Sequence, residues 1–230
     1  MHCLCYPPAM LKLYGFRMSQ PVRSVMLLLE SNKIGYTFEN VDVFKGENRK
    51  PAFLKISPTG LVPAIQDENG FALSEASAVL TYLCESRNLN AWYGNDIQTR
   101  AYVNFWMSWN HHNTRMGTKK ILHYKLFPKL ANAEEEYKQG QKHFTKSLKF
   151  MEGALSQRVF LTGASPTIAD LLLLTEIDQH MSQGFNLVEY NEFPQVLRWV
   201  GDVKASVGES IYDSVYAPVK EMAAKLQLKR

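Results

Sequence analysis

The sequence predicts an α/β domain over residues 10–86 joined to an all-α domain over residues 97–230. Three observations carry this. In the first third the apolar period switches between about two and about 3.6 residues, the marks of strand and helix. Near residue 70 an Asn-Gly pair separates two short apolar runs, a hairpin signal. From Ile97 onward every periodic stretch is helical. The expected order of the first domain is βαβαββα, a parallel crossover followed by a hairpin. Residues 1–9 read as an extension and residues 87–96 as a polar linker.

Each element has a local reason. "MLKLYGF" is strand-like, and from Pro21 apolar residues recur at Val22, Val25, Met26 and Leu29, with proline at the helix start where a missing N–H does no harm. "YTFENVDV" alternates apolar and polar residues, "RKPAFLKI" is a short helical turn, and "LVPAIQDENGFALS" is two strands about the Asn-Gly turn. A helix follows with Ala76, Val79, Leu80 and Leu83 on one face. The second domain should hold four to six helices, broken at Phe127-Pro128, "TGASP" and "NEFP". In "GASPTIADLLLLTEI" Thr167 should cap the backbone N–H three residues on while Asp170 reaches back, opening a helix that is apolar nearly all round and therefore central.

Bulk properties narrow the class. A chain of 230 residues buries roughly 70 to 75% of its unfolded surface and requires no metal or disulfide staple. With 46% hydrophobic and 21% charged residues, disorder and fibrous folds are excluded. The net charge of +4 comes from Lys and Arg interleaved with acids, and the one basic cluster, "KLQLKR", is too short to argue for nucleic acid. Cys3, Cys5 and Cys84 are odd in number and lack a C-x-x-C, so they point to a reducing compartment rather than to disulfides or a redox dithiol. Cys3-x-Cys5 has no partner pair at zinc spacing. The opening "MHCLCYPPAM" does not read as a signal peptide, and no stretch reaches the roughly 20 apolar residues that span a bilayer. The expected address is the cytoplasm.

The segments "FRMSQPVRSV", "VDVFKGENRKPAFLKISPTGLVPAI", "FALSEASAVLTYL", "WMSWNHHNTR" and "TIADLLLLTEI" occur in an order and spacing that resemble the cytosolic glutathione transferases, most nearly the theta class. The resemblance runs from about Leu11 to Leu226. It implies a thioredoxin-like N-terminal domain, an all-α C-terminal domain, a homodimer, and glutathione as co-substrate with no metal. The activity implied is conjugation of the glutathione thiolate to a small hydrophobic electrophile, in detoxification, with no nucleic acid and no membrane span involved.

The resemblance also assigns residues. From the local sequence alone Ser19 is either a helix cap or a hydroxyl aimed at a ligand; the resemblance makes it the donor to the glutathione sulfur. Val62-Pro63 matches a Val-Pro pair whose peptide bond is cis, with the Val62 backbone pairing with the cysteinyl unit. Glu75 matches the acid that faces the γ-glutamyl amine. Other positions depart from the pattern: Ala76 replaces a serine that donates to the γ-glutamyl carboxylate, Asn48 a histidine and Leu61 a lysine near the glycine carboxylate, and Asn104 an aspartate that acts across the dimer. Ser74 and Ser77 flank the position, but on a strand end or helix start the shift along the chain turns the side chain away, so neither replaces the lost hydroxyl by default. Those losses motivate an alternative, a non-catalytic protein of the same fold serving as scaffold or assembly subunit. A Cys-dependent reductase is disfavoured because position 19 is serine. His111 and His112 diverge by about 100° on a helix and cannot share a metal, and His111 reads as a packing residue. Phe105, Trp106 and Trp109 read as core, with Trp106 or Tyr102 a possible border of the electrophile pocket, and "NAEEEYKQGQK" as a solvated face.

Overall fold

The computed structural model describes residues 10–126, 132–182 and 190–227. The first domain runs β1 (Lys12–Gly15), α1 (Gln20–Ser31), β2 (Thr37–Asn40), α2 (Pro51–Leu54), β3 (Ala64–Gln66), β4 (Ala72–Ser74) and α3 (Ala76–Ser86), the predicted βαβαββα order. The sheet order is β2-β1-β3-β4. β1 and β2 are parallel, with Lys12 opposite Thr37, while β1–β3 and β3–β4 are antiparallel. Leu11, Leu13 and Ile65 bury against Val22, Val25, Met26 and Leu29 of α1 and Val79, Leu80 and Leu83 of α3. The helical periodicity read from the sequence is therefore the buried face of each helix.

The linker departs from its polar composition. It contains a helical turn, α4 (Asn90–Tyr93), with Tyr93 buried. The Trp92 Nε1–H donates to Asn32 Oδ1 at 3.1 Å. Trp92 is thereby held to the first domain, while the Tyr93 hydroxyl meets Asn104 of the helix that follows, so the two aromatic side chains order the segment.

Six helices make up the second domain among the described residues: α5 (Ile97–His112), α6 (Thr114–Leu126), α7 (Ala133–Leu155), α8 (Ile168–Ser182), α9 (Pro194–Val207) and α10 (Glu209–Gln227). The predicted breaks at "TGASP" and "NEFP" fall between helices, and the one at Phe127-Pro128 lies outside the described residues. One break was not legible: Asn113, at φ −123° and ψ −88°, separates α5 from α6. Its side-chain amide donates to the Trp109 carbonyl at 2.9 Å, replacing the backbone bond lost at the kink.

α8 is the central helix, with Ile168, Ala169 and Leu171 through Leu174 all buried. Its start differs from the predicted box in one respect. Asp170 Oδ2 does reach back to the Thr167 N–H at 2.8 Å, but the Thr167 hydroxyl donates to that same carboxylate at 2.9 Å instead of accepting from the backbone. Asp170 Oδ1 also accepts from the Leu161 N–H at 3.0 Å and Trp199 Nε1–H at 2.8 Å. One buried carboxylate thus joins the α7–α8 loop, the start of α8 and α9. Among the described residues no helix is long and apolar enough to cross a membrane.

Candidate active site

Ser19 is the N-cap of α1, at φ −76° and ψ 125°, yet its side chain makes no capping hydrogen bond. The turn is held by backbone and by a neighbour instead. The Ser19 N–H donates to the Phe16 carbonyl at 2.8 Å. Arg23, one turn into α1 and fully buried, donates from Nη1 to the Arg17 and Met18 carbonyls at 3.2 and 2.8 Å. Its other nitrogen, Nη2, donates to Gln179 Oε1 of α8, and its guanidinium lies over the Tyr216 ring at 4.7 Å. At Gly15 a Cβ would sit 2.6 Å from Val22 Cγ1, so only glycine lets the end of β1 pack this closely on α1. These contacts fix the serine turn and leave its half-buried hydroxyl unspent.

The loop before β3 is built to present backbone. The Val62–Pro63 peptide bond is cis, as the family resemblance implied. The buried Ser57 hydroxyl donates to the Leu61 carbonyl at 2.9 Å, and the Asn48 amide donates to the Gly60 carbonyl at 2.8 Å. One amide hydrogen of Asn48 thus braces the loop, and Asn48 is not among the residues lining the interdomain cleft. The Val62 N–H and C=O have no hydrogen-bond partner among the described residues. An extended donor and acceptor left free in this way suits pairing with a peptide.

A cleft of about 380 Å³ lies between the domains. It brings together Leu61, Val62, Pro63, Glu75 and Ala76 from the first domain. Pro21, two residues after Ser19, lines it as well. Glu75 precedes α3 at φ 75°, a left-handed conformation that costs a non-glycine residue on the order of 1–3 kcal/mol. Its carboxylate is exposed and forms no ion pair among the described residues. The N–H groups of Ala76 and Ser77, in the first turn of α3, are likewise without partners there.

The opposite wall comes from α5, α6 and α8 and was mostly missed in the sequence. Asn110, His111, Arg115, Met116, Lys119, Leu172 and Glu176 line it. His111 is exposed on this wall and meets the Ser77 hydroxyl at 3.3 Å through Nε2, which corrects its reading as a packing residue. Arg115 Nη1 donates to Glu176 Oε1 and to Gln20 Oε1, each at 3.0 Å, and Thr118 Oγ1 donates to Glu176 Oε2 at 2.6 Å. A buried carboxylate at 1% side-chain exposure is thereby neutralised and hydrogen-bonded. Trp106 is buried, and Tyr102 and Phe105 line a separate shallow pocket, so none of the three borders the cleft. Asn104 also lies elsewhere, in a second depression with Ser77, Tyr82 and Tyr93, where its amide donates to the Tyr93 hydroxyl at 3.1 Å.

Cys84 offers no rival nucleophile. It is buried on α3, and burial pushes its thiol up to about 12. Native protein treated with iodoacetamide at neutral pH is expected to leave the Cys84 peptide unalkylated, and unfolded protein to label it fully, by peptide mass spectrometry. Among the described residues no cluster of three or more His, Cys, Asp or Glu could hold a metal ion.

Comparison with known proteins accounts for this geometry. Residues 13–91 match the family described as glutathione S-transferase, N-terminal domain, and residues 114–206 match glutathione S-transferase, C-terminal domain. Human glutathione S-transferase theta-2B is 32% identical over 227 residues, covering 95% of this chain and 91% of the relative. Mouse theta-3 is 31% identical over 221 residues, covering 91% and 88%. The solved structure of a human theta-class glutathione transferase in complex with the glutathione conjugate of 1-menaphthyl sulfate superposes with a TM-score of 0.85 at 28% identity, over 96% of this chain and 91% of that one. Both domains match in order, and the similarity spans nearly the whole chain: it belongs to the glutathione S-transferase family and is theta-like.

Proposed function

We propose that this theta-like glutathione transferase holds glutathione along the interdomain cleft and activates its thiol with Ser19. The observation that carries the reading is the serine hydroxyl at the N-cap of α1 that caps nothing. An N-cap serine ordinarily accepts from a backbone N–H in the first turn. This one is free to donate to a sulfur placed at the positive end of α1, and both effects favour thiolate over thiol. The thiolate forms a bond to an electrophilic carbon, which expels its leaving group or passes the electron pair into a conjugated acceptor. The Val62 N–H and C=O pair with the cysteinyl unit, and Glu75 takes the γ-glutamyl amine. The α-carboxylate is received by the free N–H groups of Ala76 and Ser77, so the hydroxyl absent at position 76 is not the sole donor available there. The electrophile lies against Met116 and Leu172.

The same reading includes a homodimer in which Asn104 acts on the partner's cleft, a cytoplasmic address, and a detoxifying role toward small hydrophobic electrophiles. Calorimetry is the direct test. Glutathione is expected to bind with a dissociation constant well below about 10 mM and to show the ultraviolet band of a thiolate at neutral pH. Binding weaker than that, with no thiolate band, would favour the scaffold alternative.

A further inference from the structure

We infer that Lys119 of α6 binds the glycine carboxylate of glutathione, supplying from the helical domain the cation that position 61 of the first domain lacks. This rests on the glutathione reading above and assigns one end of that ligand.

The wall facing the glycine end has no charge of its own. Leu61 presents an alkyl chain, 51% exposed, to the cleft. The Asn48 amide is held by the Gly60 carbonyl. Arg49 lies against Gly60 and is not part of the cleft lining. Across the cleft are two cations. Arg115 is already shared between Glu176 and Gln20. Lys119 is exposed and forms no ion pair or hydrogen bond among the described residues. It is the one lining cation with its charge still available.

Spacing puts it at the correct end. His111 touches Ser77 in the first turn of α3, so it marks the place where Glu75 and the free N–H groups receive the γ-glutamyl end. Arg115, bonded to the Gln20 that follows Ser19, marks the sulfur. Lys119 stands one turn of α6 beyond Arg115, about 6 Å along the helix at 1.5 Å per residue and on the side away from His111. An extended tripeptide is roughly 10 to 11 Å long. The cleft therefore carries an anion, Glu75, where glutathione has its ammonium, and a cation, Lys119, where it has its far carboxylate.

The test compares glutathione with its glycyl monoethyl ester, which lacks only the far charge, by calorimetry on the full chain. The unmodified protein is expected to prefer glutathione by roughly three- to tenfold, and added salt to narrow the gap. Lys119→Gln should bind both ligands equally, at the level of the ester, with Tm unchanged. Leu61→Lys added to that variant should restore the preference. A Lys119→Gln protein that keeps the full preference overturns the inference, as does loss of the preference in Arg49→Gln instead. If the unmodified chain binds neither ligand, the glutathione reading itself falls; if it prefers glutathione and Lys119→Gln leaves that preference unchanged, that reading stands and this one does not.

Discussion

Ser19→Ala is expected to lower turnover roughly 10- to 150-fold below the pH at which free glutathione ionises, while the affinity for glutathione stays within about twofold. A hydrogen bond to a charged acceptor contributes about 1.5–3 kcal/mol, and each 1.36 kcal/mol is one unit of thiol pKa. Removing the donor raises the pKa of the bound thiol by roughly one to two units, so activity should return as pH rises. Affinity is kept because Val62, Glu75 and the first turn of α3 hold the peptide elsewhere. Stability separates this role from capping. Since the hydroxyl makes no cap bond, the variant should melt within about 1 °C of the original, whereas loss of a working cap costs about 0.5–2 kcal/mol. A pH–rate profile, a thiolate difference spectrum and a melting curve on one preparation decide the matter. An equal fall in affinity and turnover, with a lower Tm, would show that Ser19 is structural.

The largest loss of stability is expected at Asp170. Its carboxylate accepts from the Leu161 N–H, the Thr167 N–H and hydroxyl, and the Trp199 indole, and Trp199 and Asp170 are both fully buried. Asp170→Ala strands these donors in the core and leaves a cavity, at a cost of about 3–5 kcal/mol. For a chain of this size that is a fall in Tm of roughly 6 to 20 °C. Asp170→Asn keeps one acceptor oxygen but places an NH2 donor against donors that both carboxylate oxygens served, and should recover less than half of the loss. Thermal unfolding followed by circular dichroism reads both. A change under about 1 kcal/mol in the alanine variant would show that the network contributes little to holding the α7–α8 loop, α8 and α9 together.

The residues proposed for the glutathione end were singled out through the family resemblance, and the structure brings Val62, Pro63 and Glu75 to one cleft. Val62-Pro63, Glu75 and Ser19 each sit at a junction whose neighbours declare it: a proline after an apolar residue, an acid before a helix, a serine before Gln20-Pro21. The helical wall was not legible for a definite reason. His111, Arg115 and Lys119 span the break at Asn113, and a kink of that kind rotates the following turn by an amount no periodicity predicts. Which face of α6 turns inward is decided by packing, and side chains that read as solvated or core from sequence become a cleft wall. The Asn48 contact was not legible for a related reason: its amide donates to Gly60 twelve residues on, a bond that only the folded loop creates.

By itself the sequence determined the βαβαββα order, the helical second domain, the buried faces of α1 and α3, and the cysteine and charge economy, all properties set within a few residues of one another. Only the tertiary structure decided that Ser19 is spared from capping, that Arg23 ties its turn to α8, and that Lys119 and Leu61 line one cleft. Those outcomes depend on contacts between residues up to 156 apart in the chain, where geometry is fixed by how two domains pack and no local pattern records it.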